Sequence, residues 1–577
     1  MRKILFSLTI LTGASASLAL ALTACGDGDD APTSCTADFD CAVGKLCKDG
    51  TCADAVAGDE RDFGQVEMSF ADGSEYYLLA VYALPTAAEA AGSDLVSFEL
   101  SAGGAPAGAL RLGADQPDRE PAYDADDWQQ RIEFEGKRRE GIDRLAADLR
   151  AGRVSLDRAV PKEIPCGGCP ADQYCQGTCT STPSFSFIDG TTLNTTVLGT
   201  AGVGNVDITM LLDNGFGGAD APARAAALEF AKAADAVLAA LGQSGGHGGD
   251  LDLDGDGQLA VIFTEKVGTV GGGGIVGFFD FNDFLSTGTG SASGNEADIL
   301  WSRVPTKVRA DCPATDGCAS SVITHEVAVG TLVHEYTHLV NYAVRVHAAG
   351  AGAQNEVLWL DEGMAHLMED LTGWGSSNIG IVASAFDDWP TATFGGPDDT
   401  TMQRGASYLL LRHLLDTQAR ASGSTSAAGL SPTLHGTLLG ESELGWLHPT
   451  LQNAGASGVW HWLLGMFATN NTDVTESGAN AYDYLSSGTH TGTAQMIGLD
   501  PRGTYLDARN AEIILDGPTL GDGVVYELTD FVDPLASEVA VSGSLLFLVT
   551  GLDAGTTTLT GRGAAEVDLQ MRAMRVW

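Results

Sequence analysis

Val333-His334-Glu335-Tyr336-Thr337-His338-Leu339-Val340 is an H-E-x-x-H motif set in an apolar, helix-forming segment, and the rest of the chain is read outward from it. On an α-helix, with about 1.5 Å rise and 3.6 residues per turn, His334 and His338 fall one turn apart on one face, so both imidazoles can hold one metal ion. Glu335 lies beside the first of them. A helix fixes two imidazoles while leaving coordination positions open, as a catalytic zinc with three protein ligands and a water requires. The third ligand must come from another segment.

The obvious supplier is Trp359-Leu360-Asp361-Glu362-Gly363-Met364-Ala365-His366-Leu367-Met368-Glu369-Asp370, in which Glu362 follows His338 after 23 intervening residues. That interval suits a helix, a turn and a second helix packing back on the first. Glu369 is the rival ligand. Asp361, Glu369 and Asp370 are candidate acceptors for the second ring nitrogens, which metal-bound histidines usually donate to a carboxylate or carbonyl.

H-E-x-x-H followed by W-L-D-E-G-M-A-H resembles the gluzincin class of zinc metallopeptidases. The resemblance narrows to the secreted hyicolysin-like peptidases through an ordered series: Asp252 to Phe263, Gly277-Phe278-Phe279-Asp280, Ala297-Asp298-Ile299-Leu300-Trp301, the two zinc segments, and Arg404-Gly405-Ala406-Ser407-Tyr408-Leu409-Leu410. It implies an α+β fold whose thermolysin-like catalytic domain pairs a small edge-stranded sheet with an α-rich lobe. It also implies a zinc metalloendopeptidase acting on protein or peptide substrates, with His334, His338 and Glu362 on the metal and Glu335 as general base. By the same analogy, Ala297 to Val304 is the edge strand that pairs with substrate. The aminopeptidase branch carries a tyrosine three residues before a Lys-Gly pair, but Met402-Gln403 stands before Arg404-Gly405 here. His366 and Tyr408 are the substitutes for the group that stabilises the oxyanion.

Composition limits the alternatives. Thirty-one Lys and Arg against 76 Asp and Glu give a net charge of −45 over 577 residues, which argues against nucleic acid and against a basic membrane-binding face. Met1-Arg2-Lys3, the apolar run Ile4 to Leu22 and Leu22-Thr23-Ala24-Cys25-Gly26 read as a secretory leader with a lipobox-like end. Cys25 is the expected lipidated first residue of an exported bacterial lipoprotein, held at the cell envelope, on the outer membrane or cell surface. Its only membrane contact would be that anchor. The other ten cysteines group locally as Cys35, Cys41, Cys47 and Cys52; Cys166, Cys169, Cys175 and Cys179; and Cys312 and Cys318. An even number in an exported chain implies disulfides; a zinc site in the second group is the alternative.

The expected organisation is a leader (1–24), a tether and cysteine-rich mini-module (25–60), an N-terminal β-plus-helix region (61–182), a metallopeptidase domain (183–480) and a C-terminal β-sandwich (503–577). Gly64 to Phe70 and Glu75 to Val81, with Ala71-Asp72-Gly73-Ser74 between them, carry a hairpin signal. Helices are expected over Ala125 to Ala151, Ala221 to Leu241, Ile323 to Ala348, Arg404 to Gln418 and Gly458 to Thr469, and strands over Leu259 to Thr264, Glu538 to Val541 and Ser544 to Val549. Gly242-Gln243-Ser244-Gly245-Gly246 matches a serine-hydrolase pattern by spacing alone, because a helix rather than a strand leads into it. Asp250, Asp252, Asp254 and Asp256 alternate with turn residues as a calcium loop does, although Phe263 stands where an EF-hand has its acid. His325 and His347 read as packing residues. The rival functional reading is a surface adhesin built on a metalloprotease-like fold, and Glu335 argues against it, since a binding module has no use for a general base.

Overall fold

The computed structural model describes residues 35–576 apart from 86–94, 103–124, 155–168, 285–293, 307–322, 424–430, 476–482, 485–497, 528–534 and shorter stretches. The leader, Cys25, Cys166, Cys312, Cys318, Asp250 and Asp254 lie outside the described residues.

In chain order, β1 (Lys45–Lys48) and β2 (Thr51–Asp54) form a hairpin clipped by the Cys35–Cys47 and Cys41–Cys52 disulfides. Three long strands follow, β3 (Glu60–Phe70), β4 (Tyr76–Leu84) and β5 (Leu95–Ala102), and then helix α1 (Ala125–Arg150). The short strands β6 (Tyr174–Cys175) and β7 (Cys179–Thr180) sit beside the Cys169–Cys179 disulfide. Cys175 is also bridged, so this group holds disulfides rather than zinc.

A six-stranded sheet comes next, built from β8 (Ser184–Ser186), β9 (Thr192–Val203), β10 (Val206–Asp213), β11 (Leu259–Phe263), β12 (Gly277–Phe279) and β13 (Ile299–Ser302), with α2 (Asp220–Ala240) between β10 and β11. The helical lobe holds α3 (His325–Tyr342), α4 (Leu358–Leu371), α5 (Asn378–Asp387), α6 (Thr401–Ala421), α7 (Ser431–Gly440) and α8 (Pro449–Ala468). Strands β14 (Thr504–Leu506), β15 (Glu512–Ile514), β16 (Val525–Glu527), β17 (Leu535–Ala540), β18 (Ser544–Thr550), β19 (Gly555–Ala564) and β20 (Asp568–Arg575) complete an α+β protein. Among the described residues no helix is long and apolar enough to cross a membrane.

The C-terminal strands do not make a sandwich by themselves. One sheet runs β16-β18-β4-β20 and the other β17-β5-β19-β3, so strands from both ends of the chain interleave. Nor do β3 and β4 form a hairpin, since they lie in different sheets. The reason is visible in β4, which is buried along both faces. Leu79, Val81 and Ala83 enter the sandwich core, while Leu78, Ala80, Tyr82 and Leu84 enter the main core shared with the helical lobe. Successive side chains of a strand point to opposite faces, so a strand apolar at every position belongs between two cores and not at the edge of a two-stranded ribbon. Tyr82 extends this junction, donating its hydroxyl proton to the Ala456 carbonyl in α8 at 2.8 Å.

The six-stranded sheet also departs from the expected order. Strand β13 is internal, parallel to β11 on one side and antiparallel to β12 on the other, so Gly277–Phe279 is the edge strand and Ala297 to Val304 is not. Three residues beside a glycine tract are too few to show a strand period. A side chain at Gly277 would meet the Trp301 carbonyl and Thr331, so a glycine lets β12 lie close under α3.

Helix α3 begins at Thr324, whose hydroxyl accepts the Val327 N–H at 3.2 Å, and is buried on nearly every side. Such a helix belongs inside a larger core rather than on its surface. Phe230 of α2 meets Tyr336 edge-on with ring centroids 5.7 Å apart, and the helix runs into a π-turn over Ala343–His347. Gly350, at φ +54°, ends the segment where the sequence suggested, and α4 returns along α3.

Candidate metal centre

His334 and His338 face α4 with ring centroids 4.8 Å apart. Their Nδ1 atoms are held by carboxylates: His334 donates to Glu369 Oε1 at 2.7 Å, and His338 lies 3.1 Å from Asp361 Oδ2. With Nδ1 tied back, the Nε2 atoms turn toward Glu362, 3.3 Å from its Oε2 for His334 and 3.6 Å from its Oε1 for His338. His334 Nε2 is buried and makes no hydrogen bond there.

These separations can be compared with a coordination shell. Zinc bonds of 2.0–2.1 Å to nitrogen or oxygen in a tetrahedron put neighbouring ligand atoms about 3.4 Å apart. The two Glu362 separations bracket that edge. A second group, His334, His366 and Glu369, is also close enough to surround an ion. Its contacts are 2.7 and 3.0 Å, which are hydrogen-bond lengths, and His366 Nδ1 is shared further with Asn378 Oδ1 at 2.8 Å. Glu369 is therefore the residue that orients the histidines, and the donor set that fits a metal is His334, His338 and Glu362.

Charge favours the same set. Burial works against ionised Glu362, but Arg404, whose Nη1 is 2.6 Å from Oε2, and the two histidines outweigh it and hold the carboxyl well below its usual range. Burial likewise opposes a charged His334, and the carboxylates of Glu362 and Glu369 on either side of the ring overcome this and raise its pKa to about 10. Glu369 is pulled down to about 2 by His366 and His334 in spite of its burial. These opposite shifts mark a place that favours positive charge, and a divalent cation meets the same demand.

Two glycines explain why these segments lie so close together. A side chain at Gly363, next to Glu362, would come 2.9 Å from Leu411 and 3.3 Å from Ser407 of α6. One at Gly405, next to Arg404, would strike the Ile381 carbonyl of α5. Small residues there let α4, α5 and α6 close on one another and carry Arg404 to Glu362.

Glu335 points from α3 into a cleft of about 400 Å³, lined also by Phe279, His338, Tyr342, Asp361 and Glu362. Its Oε2 accepts the Phe279 N–H of β12 at 3.0 Å. Arg138 of α1 stands 3.5 Å away. The proposed substrate strand and the proposed base are thus joined, but through β12.

The remaining candidates fall elsewhere. Tyr408 donates its hydroxyl to Asp370 Oδ2 at 2.9 Å within a buried network with Arg412, and it is not among the cleft residues. Asp370 therefore serves Tyr408 and Arg412 rather than an imidazole. His366 packs 4.7 Å from His334, centroid to centroid, with burial lowering its pKa, and it too is not among the cleft residues. His325 packs edge-on against Trp374 and His347 lies against Tyr342. Asp252 and Asp256 accept the backbone N–H groups of Gly257 and Gln258 at 3.1 and 2.7 Å, closing an acidic turn before β11. Among the described residues no three acids gather there to form a calcium site.

No local pattern in the chain points to His247. It is buried, 3.0 Å from Asp298 Oδ2 and 3.1 Å from the Tyr336 hydroxyl, with its pKa lowered to about 4 by burial. It ties the middle of the H-E-x-x-H motif to the residue before β13. Arg138 was likewise without a local signal, because its contact with Glu335 spans a long stretch of chain. Comparison with protein families, with characterised proteins and with solved structures finds no match for this chain.

Proposed function

We propose that the chain is a zinc-dependent peptidase of gluzincin type, hydrolysing peptide bonds with a metal-activated water, and that it is exported and lipid-anchored through Cys25. The carrying observation is the convergence of two carboxylate-held imidazoles on Glu362 at 3.3 and 3.6 Å, beside a carboxylate, Glu335, that opens into a cleft. Zinc bound by His334, His338 and Glu362 would lower the pKa of its water toward about 7 and polarise the scissile carbonyl.

The chain's own groups supply the rest. Glu335, steadied by the Phe279 N–H, takes the proton from the attacking water and later passes it to the leaving amine. Strand β12 is the sheet edge beside the centre, and an extended peptide laid along it would be oriented by main-chain hydrogen bonds. Asp361 and Glu369 keep the imidazole rings in register. Arg404 balances the acid-rich surroundings of Glu362.

The test is metal analysis of purified residues 26–577, with casein cleavage measured before and after chelation and after zinc is restored. One zinc per chain and chelator-sensitive cleavage are expected. Stoichiometric zinc without cleavage of casein or a mixed-sequence peptide panel would instead favour the adhesin.

A further inference from the structure

We propose that α1 is a built-in inhibitor that plugs the cleft in front of the metal centre, with Arg138 holding Glu335 out of reaction. The proposal rests on reading that centre as catalytic.

The residues of α1 that line the cleft are Ile132, Glu135, Gly136, Arg138, Arg139, Glu140, Ile142 and Asp143, a broad face of the helix. That face is charged where a packing helix is ordinarily apolar, and three of its charges, on Glu135, Arg138 and Arg139, meet residues of the site. Arg138 lies 3.5 Å from Glu335, with its guanidinium over the rings of Phe134 and Phe278 at 5.6 and 5.7 Å. Arg139 lies 3.6 Å from Asp361, the carboxylate behind His338, and donates to the Glu356 carbonyl. Glu135 pairs with Arg404, the cation on Glu362. Asp143 accepts from Asn355 at 2.8 Å. The second half of α1 is an anchor, with Leu145, Ala146 and Leu149 buried in the main core.

Two consequences oppose catalysis. A general base needs its water within reach, and the Arg138 guanidinium, 3.5 Å from Glu335, stands in the cleft through which that water and the substrate would approach. The helix forms one wall of the cleft, and Arg138 lies over Phe278 of β12, where a peptide laid along that strand would have to pass. On both sides of α1 the chain is fixed, by β5 in the sandwich and by β6 beside a disulfide. The plug is therefore held at high local concentration, and displacing it leaves the sandwich intact.

A glycine of α1 provides the test. A side chain at Gly141 would come 2.7 Å from the ring of Phe281. Alanine improves the helix itself, so any opposite effect at Gly141 comes from docking. The full chain, loaded with cobalt, is titrated with acetohydroxamate, and binding is followed by the visible spectrum of the metal. Cleavage of a quenched mixed-sequence peptide is measured alongside. Gly141→Ala and Arg138→Ala should bind the hydroxamate and cleave the peptide about tenfold better than the parent, because a closed population lowers apparent affinity in proportion. Arg144→Ala, on the exposed side of α1, should match the parent, Arg138→Lys should fall between, and a synthetic 125–150 peptide added to Gly141→Ala should restore inhibition. Equal hydroxamate affinity in all forms, with cobalt bound, would overturn the plug and leave the metal centre standing. Failure of the parent to take up cobalt would remove the centre itself, and the proposal with it.

Discussion

Among the described residues, His448 and His334 each centre a buried histidine–carboxylate cluster in the helical lobe, and of these two the one at His334 is open. At His448 both ring nitrogens end on carboxylates at hydrogen-bond length, Nδ1 on Glu441 at 2.7 Å and Nε2 on Glu356 at 2.9 Å, and Arg345 meets the same Glu356 oxygen at 2.9 Å. Glu356 further accepts the Gly445 N–H. At His334 one nitrogen is held as tightly, by Glu369, but the other faces Glu362 across a gap too long for a good hydrogen bond and matched to a coordination edge. Residue types and burial are the same in both. The difference is whether the inner nitrogen is satisfied, and buried polar groups left unsatisfied in a well-packed fold call for a ligand. The His448 cluster has the satisfied geometry of a stabilising network, and the His334 cluster is the one on which the proposed function rests.

That contrast can be broken most severely at Glu335. Glu335→Gln keeps shape and hydrogen-bonding capacity but removes the base, so peptide cleavage should fall about 10²–10⁴-fold while bound zinc and melting temperature stay near the parent's. Loss of zinc together with activity would make Glu335 a structural residue. The opposite pattern is expected at the closed cluster. Glu356→Ala strands His448 and Arg345 without their counter-charge and should cost about 3–5 kcal/mol by urea titration, with zinc stoichiometry unchanged. An equal loss of zinc would mean that the two clusters are one. Smaller again is Glu369→Gln, which loosens the ring of His334 without removing a ligand. Zinc affinity should drop about 10–100-fold, read by competition with a chromogenic chelator. No change would show that Glu369 does not orient the His334 ring.

How much of this was legible follows from where each residue's partners lie. His334, Glu335 and His338 could be read because one helix turn fixes their relation, and Glu362 because a helix–turn–helix interval leaves few alternatives. The helices over 125–150, 220–240 and 401–421 showed themselves by period and length. Arg404 was visible only as part of a resemblance, since its relation to Glu362 depends on α5 and α6 closing over Gly405. Arg138 sits on an ordinary-looking charged helix, and nothing within 20 residues shows that its stripe faces a cleft. The sandwich was misjudged for the same reason: β3 to β5 pair with strands more than 400 residues away, and turn residues between β3 and β4 report a reversal of direction without saying whether the chain changes sheet.

The subtlest prediction concerns protons at the open cluster. In metal-free protein His334 has a folded pKa of about 10, above the ordinary value of 6.5 that it regains on unfolding. A raised folded pKa gives stability that is fully present below pH 6.5 and is lost as pH climbs through 10. The melting temperature of the metal-free parent should therefore converge on that of metal-free His334→Gln between pH 6.5 and 10. Zinc-loaded parent should keep its advantage over the same range, because the metal replaces the proton between Nε2 and Glu362 and needs the imidazole neutral. Parallel curves for parent and variant in the metal-free state would show that no proton is held there, and the case that this pocket stabilises positive charge would then rest on the 3.3 and 3.6 Å geometry alone.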